Sequence, residues 1–289
     1  MLNRILSVDP TRIDGVLSSN GQVWLLNGSG VLFGPNSQVN VQGLLASTKD
    51  ISDLDFNSGN FKLGGVGNGK ITNLGNIAAA QGGYVLLLGP QVENLGRIQA
   101  QLGQVILASG KAYALDLNGD KLLRFDVTEP LTSSDNAVAS VINSGQIIAD
   151  GGVVQMSART ANNLLANVVN TGGLIQADTV SKQGGLIVLD AGLSGQVSIS
   201  GTLSAQGTSY GNSGGYIKAL GDSIKINSDT SINVSGQYGG GTVLIGGEWQ
   251  GIGSLPQSRN LTMESGAKIN ADALLNGNGG QIVLRTEVS

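Results

Sequence analysis

One phrase recurs along the 289 residues: Asn-x-Gly-x-(Ile/Leu)-x-Ala, a short spacer, then Gly-Gly leading into alternating apolar residues. It appears at Asn73–Ala78 with Gly82-Gly83-Tyr84-Val85-Leu86, and at Asn94–Ala100 with Gly103-Gln104-Val105-Ile106-Leu107. Further copies are Asn143–Ala149 with Gly151-Gly152-Val153, and Asn170–Ala177 with Gly184-Gly185-Leu186-Ile187-Val188-Leu189. Internal repetition at this scale is the signature of a solenoid, because one copy is too small to bury its own apolar face and stacking supplies the partner. Gly pairs start at 82, 151, 184, 214, 240 and 279, with Gly103 as a single-Gly copy. Constant motif at uneven spacing means rungs of fixed width joined by loops of variable length. That excludes fixed-length helical repeats and predicts an all-β parallel β-helix. Val, Ile and Leu would stack on their equivalents about 4.8 Å away in the next rung, and Ile147 and Val188 are expected to point inward.

Composition agrees. Apolar residues are 40%, aromatics 4% and charged residues 12%, and Gly numbers 46 against 5 Pro, which describes short aliphatic strands joined by tight turns. Residues 1–130 hold the longest apolar strings, Val23-Trp24-Leu25-Leu26 and Val31-Leu32-Phe33, then strict alternation in Gln38-Val39-Asn40-Val41-Gln42. Leu115–Val127 interrupts the repeat and reads as two strands around Asn118-Gly119-Asp120, a sequence suited to a hairpin turn. Thr128-Glu129-Pro130 is the natural boundary, dividing residues 1–130 from a looser repeat stalk at 131–289 that continues it. In the stalk, Ala161, Leu164, Leu165, Val168 and Val169 fall at helical spacing within Ala158–Val169, which predicts a short helical excursion.

The residue types present exclude most chemistry. The chain has no His and no Cys, which removes Ser-His-Asp hydrolysis, Cys-His proteolysis, disulfides and nearly all zinc and redox-metal sites. Gly211-Asn212-Ser213-Gly214-Gly215 matches the nucleophile-elbow string, but no His is available to take the serine proton. Asp116, Asn118 and Asp120 open like a calcium loop, yet Lys121 stands where glycine is required and Val127 where a bidentate Glu belongs. Gly64-Gly65-Val66-Gly67-Asn68-Gly69 lacks the Lys-Ser/Thr pair of a phosphate-binding loop. The alternative that stays open is a β-helical protein that binds polysaccharide, or that cleaves it with carboxylates alone through Asp53 with Asp55 or Asp222 with Asp229. Sugar sites of that kind usually present an aromatic platform; Trp24 lies in an apolar run and reads as buried, while Trp249 reads as exposed. The net charge of −4 and the 16 scattered Lys and Arg argue against a nucleic-acid partner. No stretch reaches the roughly 20 apolar residues of a spanning helix, so no transmembrane segment is expected, and the first ten residues lack the apolar run of a signal peptide. The chain therefore reads as a non-enzyme with no catalytic residue, no cofactor and no metal.

Several blocks, in order, resemble a known family. They are Asn3-Arg4-Ile5-Leu6, Pro10-Thr11-Arg12-Ile13-Asp14-Gly15, Asn20–Asn27, Gly30-Val31-Leu32-Phe33-Gly34, Val39–Thr48 and Gly82–Val92. On these blocks residues 3–130 resemble the haemagglutination-activity (secretion) domain of filamentous-haemagglutinin-type exoproteins of two-partner secretion systems, and the remainder resembles the repeats that follow it. The resemblance implies a right-handed parallel β-helix, and a secreted or bacterial cell-surface location in the full-length protein. It also implies export through an outer-membrane barrel transporter whose periplasmic domains recognise the unfolded chain. It implies an adhesin or adhesin stalk, with a host-cell or surface glycan as receptor, and an N-terminal truncation that removes the family's signal peptide and opening strands. The family's Asn-Pro-Asn-Gly turn corresponds to Asn27-Gly28-Ser29-Gly30, which keeps its first and last residues, so Asn27 and Gly30 become the expected transporter-recognition residues.

Overall fold

A computed structural model describes residues 1–116, 124–132, 140–160 and 168–287. Along them the chain repeats a three-sided path: each circuit lays down three short strands and advances by one strand width. The first face is a nine-stranded, wholly parallel sheet that runs from Thr11–Ile13 and Gly30–Phe33, through Lys70–Asn73, Gln91–Asn94, Ser140–Asn143 and Val168–Thr171, to Asn260–Met263. The second and third faces count as one 17-stranded parallel sheet, because Gln38–Ser47 and Asn76–Leu88 run round the corner between them without a break. The result is a right-handed parallel β-helix, the hand that parallel crossovers take almost without exception.

Its interior is a set of side-chain columns. On the second face Val39, Ile77, Ile98, Ile147, Ile175, Leu203 and Ile232 stand in register, each nearly or fully buried. On the third face Val85, Val105, Val154, Ile187, Ile217 and Val243 do the same. Each such aliphatic side chain contributes about 1.5–3 kcal/mol by leaving water. The strict alternation puts Ile187 and Leu189 inside, and Val188 on the outer surface between them, half-buried. The expectation for Val188 is thus corrected, because a period of two allows only alternate residues of a run to face one side.

The corners explain the recurring phrase. Asn73, Asn94 and Asn143 stack as a buried ladder, each carboxamide NH₂ donating to the next carbonyl at 2.8 and 2.7 Å. The fourth copy slips by one residue, since Thr171 and not Asn170 occupies the next place in register. Beside the ladder, a Cβ on Gly96, Gly145 or Gly173 would lie 2.0–2.2 Å from the carbonyl oxygen of the glycine one rung below. Only glycine lets the backbones stack that closely at this bend.

A separate layer covers the N-terminal half of the third face. Phe61–Leu63, Ala112–Asp116 and Arg124–Glu129 form a small antiparallel sheet. A single helical turn and a half, Asp53–Ser58, is capped by Ser52, whose hydroxyl accepts from the Asp55 N–H, and ends at Gly59 in the left-handed region. Together they bury the outward side chains Trp24, Leu26, Leu45, Tyr84, Leu86, Leu88 and Ile106 against Leu63, Tyr113, Leu115 and Val127. Trp24 sits 5.2 Å from the rings of both Phe56 and Phe61, and its indole N–H donates to the Tyr84 hydroxyl at 3.0 Å. Burial pushes that phenol up to about 12. These strands read as unbroken apolar strings because both of their faces are buried.

The hairpin expected at Leu115–Val127 is present as the antiparallel pair Ala112–Asp116 and Arg124–Glu129; its turn, Asn118-Gly119-Asp120, lies outside the described residues. For the helical excursion expected at Ala158–Val169, the two ends are strand, in Val153–Ala158 and Val168–Thr171, and residues 161–167 lie outside the described residues. The β-helix claims those ends because each has a register partner in the neighbouring rung.

Adjacent residues should therefore respond in opposite ways. Ile187→Asp is expected to cost several kcal/mol by burying an unpaired carboxylate, whereas Val188→Asp should cost about 1 kcal/mol or less. Thermal melting of the two variants checks this, and equal destabilisation would contradict the alternation.

Candidate functional site

The turn that carries Asn27 and Gly30 joins the third-face strand Gln22–Leu26 to the first-face strand Gly30–Phe33. Its backbone closes by Gly30 N–H donating to the Asn27 carbonyl at 2.9 Å. The Asn27 side chain is buried and fully used. Its carbonyl accepts from Ser29 N–H at 2.9 Å, and its NH₂ donates to the Asp9 carbonyl at 3.0 Å and the Thr11 hydroxyl at 2.9 Å. One side chain thus ties the turn to the rung before it. Gly30 has φ +115°, and a Cβ there would lie 2.5 Å from the Lys70 carbonyl, so no other residue fits without displacing the next rung. Gly28 and Ser29 form the outward tip, Gly28 exposed and Ser29 half-buried.

The glycine cluster 64–69 proves to be the underside of this turn. Gly69 N–H donates to the Gly28 carbonyl at 3.0 Å, and Gly67 packs under Gly28 so closely that a Cβ would fall 1.9 Å from the Thr48 carbonyl. The loop is held by Lys49, 2% exposed, whose ammonium donates to the carbonyls of Gly65 at 3.1 Å and Gly67 at 2.7 Å. Nothing in the sequence flags this lysine, since it follows an apolar run in the manner of an ordinary surface residue. Leu6 and Val66 project almost fully exposed on either side of a cavity of about 190 Å³ that borders Asn27 and Lys49.

The candidate carboxylates are not assembled for catalysis. Asp53 pairs with Arg4 at 3.0 Å, and the Asp55 carboxyl accepts from the Ser52 hydroxyl and the Asn60 amide, which hold it below the usual carboxylate range. A general acid needs the opposite shift. Asp222 pairs with Arg259, and Asp229 is exposed at the far end of strand Ser223–Ile226, roughly 15 Å or more away at about 3.3 Å per residue. Ser213 of the elbow-like string donates its hydroxyl to the Tyr238 carbonyl at 2.9 Å and serves to join two loops. Of the calcium-like string, Asp116 ends a strand, and Asn118 and Asp120 lie outside the described residues. Among the described residues no cluster of three or more Asp or Glu is arranged to hold a metal ion, and no helix is long and apolar enough to cross a membrane.

Comparison with known proteins supplies the context for the turn. The model of the TPS secretion domain matches residues 1–204. Two Haemophilus influenzae proteins named heme/hemopexin-binding protein are similar: one is 32% identical over 199 residues, the other 28% identical over 279. These alignments take in 65% and 82% of this chain but only 21% and 28% of the relatives, so the chain spans less than a third of either. The crystal structure of the HMW1 secretion domain from Haemophilus influenzae matches with a TM-score of 0.79 at 29% identity, over 93% of this chain and 69% of that one.

Outside the turn, one carboxylate is electrostatically strained. Asp178 accepts from the Ser204 hydroxyl at 2.5 Å and Gln206 N–H at 2.7 Å, yet burial, reinforced by Asp150, raises it above its ordinary 3.8. The folded state then holds this proton more tightly than the unfolded state. The contribution to stability is neutral below pH 3.8 and becomes a deficit as pH rises through the folded value. Asp178→Asn keeps an acceptor for both donors and removes the charge. It should match the wild type at pH 3 and exceed it in thermal stability at pH 7. A lower melting temperature for the variant at pH 7 would contradict this.

Proposed function

The chain belongs to the TPS secretion domain family, and from that membership we propose that it directs a longer exoprotein through an outer-membrane barrel transporter to the cell exterior. Two-partner secretion implies such a transporter. The particular observation that supports the assignment of a recognition point is the Asn27–Gly30 turn, clamped from both sides with its tip left outward. We assign transporter recognition to this turn, with Asn27 setting its shape and Gly30 permitting it.

The division of labour follows the layers. Residues 1–130 carry the covering helix and antiparallel sheet and take the export role; residues 131–289 continue the same sheets as a stalk. The whole exoprotein, of filamentous-haemagglutinin type, is read as a surface adhesin or the stalk of one. The relatives' names favour one further reading, that the longer protein binds heme or hemopexin. Residues 1–289 lack His and Cys, so His or thiolate ligation of a heme iron is assigned to the rest of that protein.

Export can be separated from folding by a matched pair of variants. Asn27→Ala and Asn73→Ala each remove a buried carboxamide, at about 1–3 kcal/mol apiece, but only the first alters the turn. Co-expressed with its transporter, Asn27→Ala should lose export and Asn73→Ala should retain most of it. Equal export of the two would remove recognition from this turn.

A further inference from the structure

Beyond the second face, the C-terminal rungs carry loops that the export reading leaves unused. Residues 206–214, 236–240 and 272–279 bulge from the corner between the second and third faces. They stack on one another through the bridges Gly207 to Gly236 and Gly236 to Ala273. The lobe lies past residue 204, where the match to the secretion domain ends. It is fixed from inside. Tyr238 N–H donates to the Asn212 carbonyl at 3.0 Å, and Leu275 and Asn276 N–H both donate to the Gln237 carbonyl at 3.1 and 3.0 Å. Asn212 is buried, its NH₂ donating to the Thr179 carbonyl at 3.2 Å.

On this rigid base stands Tyr210, 83% exposed, with its ring 4.9 Å from that of Tyr238 in an edge-on arrangement. The contact with Tyr238 sets the two rings at 74°, and most of the Tyr210 ring meets water. Around the pair, the side chains of Thr208, Ser209, Gln237 and Asn278 make no hydrogen bond within the described protein and are exposed or half-exposed. Charge lies at the two ends of the stack, on Asp178 and Lys182 at one and Asp272 at the other. The combination is an exposed aromatic face among uncharged donors and acceptors, with the exposed Leu274 and Leu275 in the next loop. That chemistry suits a ligand with an apolar C–H face and a rim of hydroxyls. Between the two ends the loop side chains are uncharged, which favours a neutral ligand.

We propose that the Tyr210–Tyr238 lobe is a binding site for a neutral saccharide, one sugar ring packing on Tyr210 with its hydroxyls bonded to the surrounding amides and hydroxyls. The site is independent of the transporter assignment, since it uses no residue before 179. The test is calorimetric titration of the full chain with a panel of neutral gluco-, galacto- and manno-oligosaccharides. At least one should bind. Tyr210→Ala should weaken it roughly tenfold or more, the scale of one lost aromatic contact, and Tyr210→Phe should stay within about threefold. Because Tyr210 is exposed, both variants should melt with the wild type, which separates loss of binding from loss of fold. The proposal is overturned if no panel member binds in the millimolar range, if Tyr210→Ala binds as tightly as the wild type, or if only charged glycans bind.

Discussion

Everything in this molecule depends on the spacing between successive circuits of the backbone, about 4.8 Å wherever strands lie side by side. That spacing is set by main-chain hydrogen bonds and brings successive backbones into close contact at the bend between the first and second faces. Gly96, Gly145 and Gly173 are glycine because the carbonyl below occupies the place of a Cβ. Asn73, Asn94 and Asn143 are asparagine because one carboxamide can both donate to and accept from its copies along the stack, which satisfies these buried amides. The aliphatic columns follow, since register at the corners dictates which residue of every strand turns inward.

The covering layer changes what the same scaffold can do. Over the C-terminal half, the third face alternates between buried and half-exposed residues, as in Leu186–Asp190. Over the N-terminal half the equivalent strand Gln104–Ser109 is buried throughout, with Ile106 and Ala108 held under Tyr113. Burial on both faces lets Trp24 and Tyr84 pack as an interior pair that a one-sided sheet would expose. The turn at Asn27 sits at the edge of this doubly packed region, so its shape is supported by strands buried on both faces.

The parallel β-helix was legible in the sequence because stacking imposes a repeat that survives variable loops. Trp24 and Trp249 were placed correctly, inside and outside, by the texture of their neighbours. What escaped was whatever depends on a contact between distant segments. The slip from Asn170 to Thr171 cannot be seen in a motif that tolerates either residue, and Val188 looked internal because a run of four apolar residues hides its alternation. The helix Asp53–Ser58 is too short to show a period, and its cap at Ser52 is a single residue in a polar stretch. Lys49 carries no local pattern because its partners, the Gly65 and Gly67 carbonyls, are backbone groups 16 and 18 residues away.

The order of assembly has a consequence for a chain that emerges N-terminus first. Each rung of the interior columns needs only the rung before it, so the stack can grow as residues appear. The outer side of the third face obeys a different rule. Trp24 and Leu45 come early in the chain, whereas Tyr113 and Val127, which seal the same outer cluster, come some 70 residues or more later. Until residue 127 has emerged, that strip of Trp24, Leu45, Leu86 and Ile106 faces water at a cost proportional to its apolar area. Closing the cover then rewards the whole segment at once, at the point where the strain of an open sheet face is greatest. Val127 thereby helps seal a cluster that Trp24 began, while the parallel rungs beyond extend the same sheets.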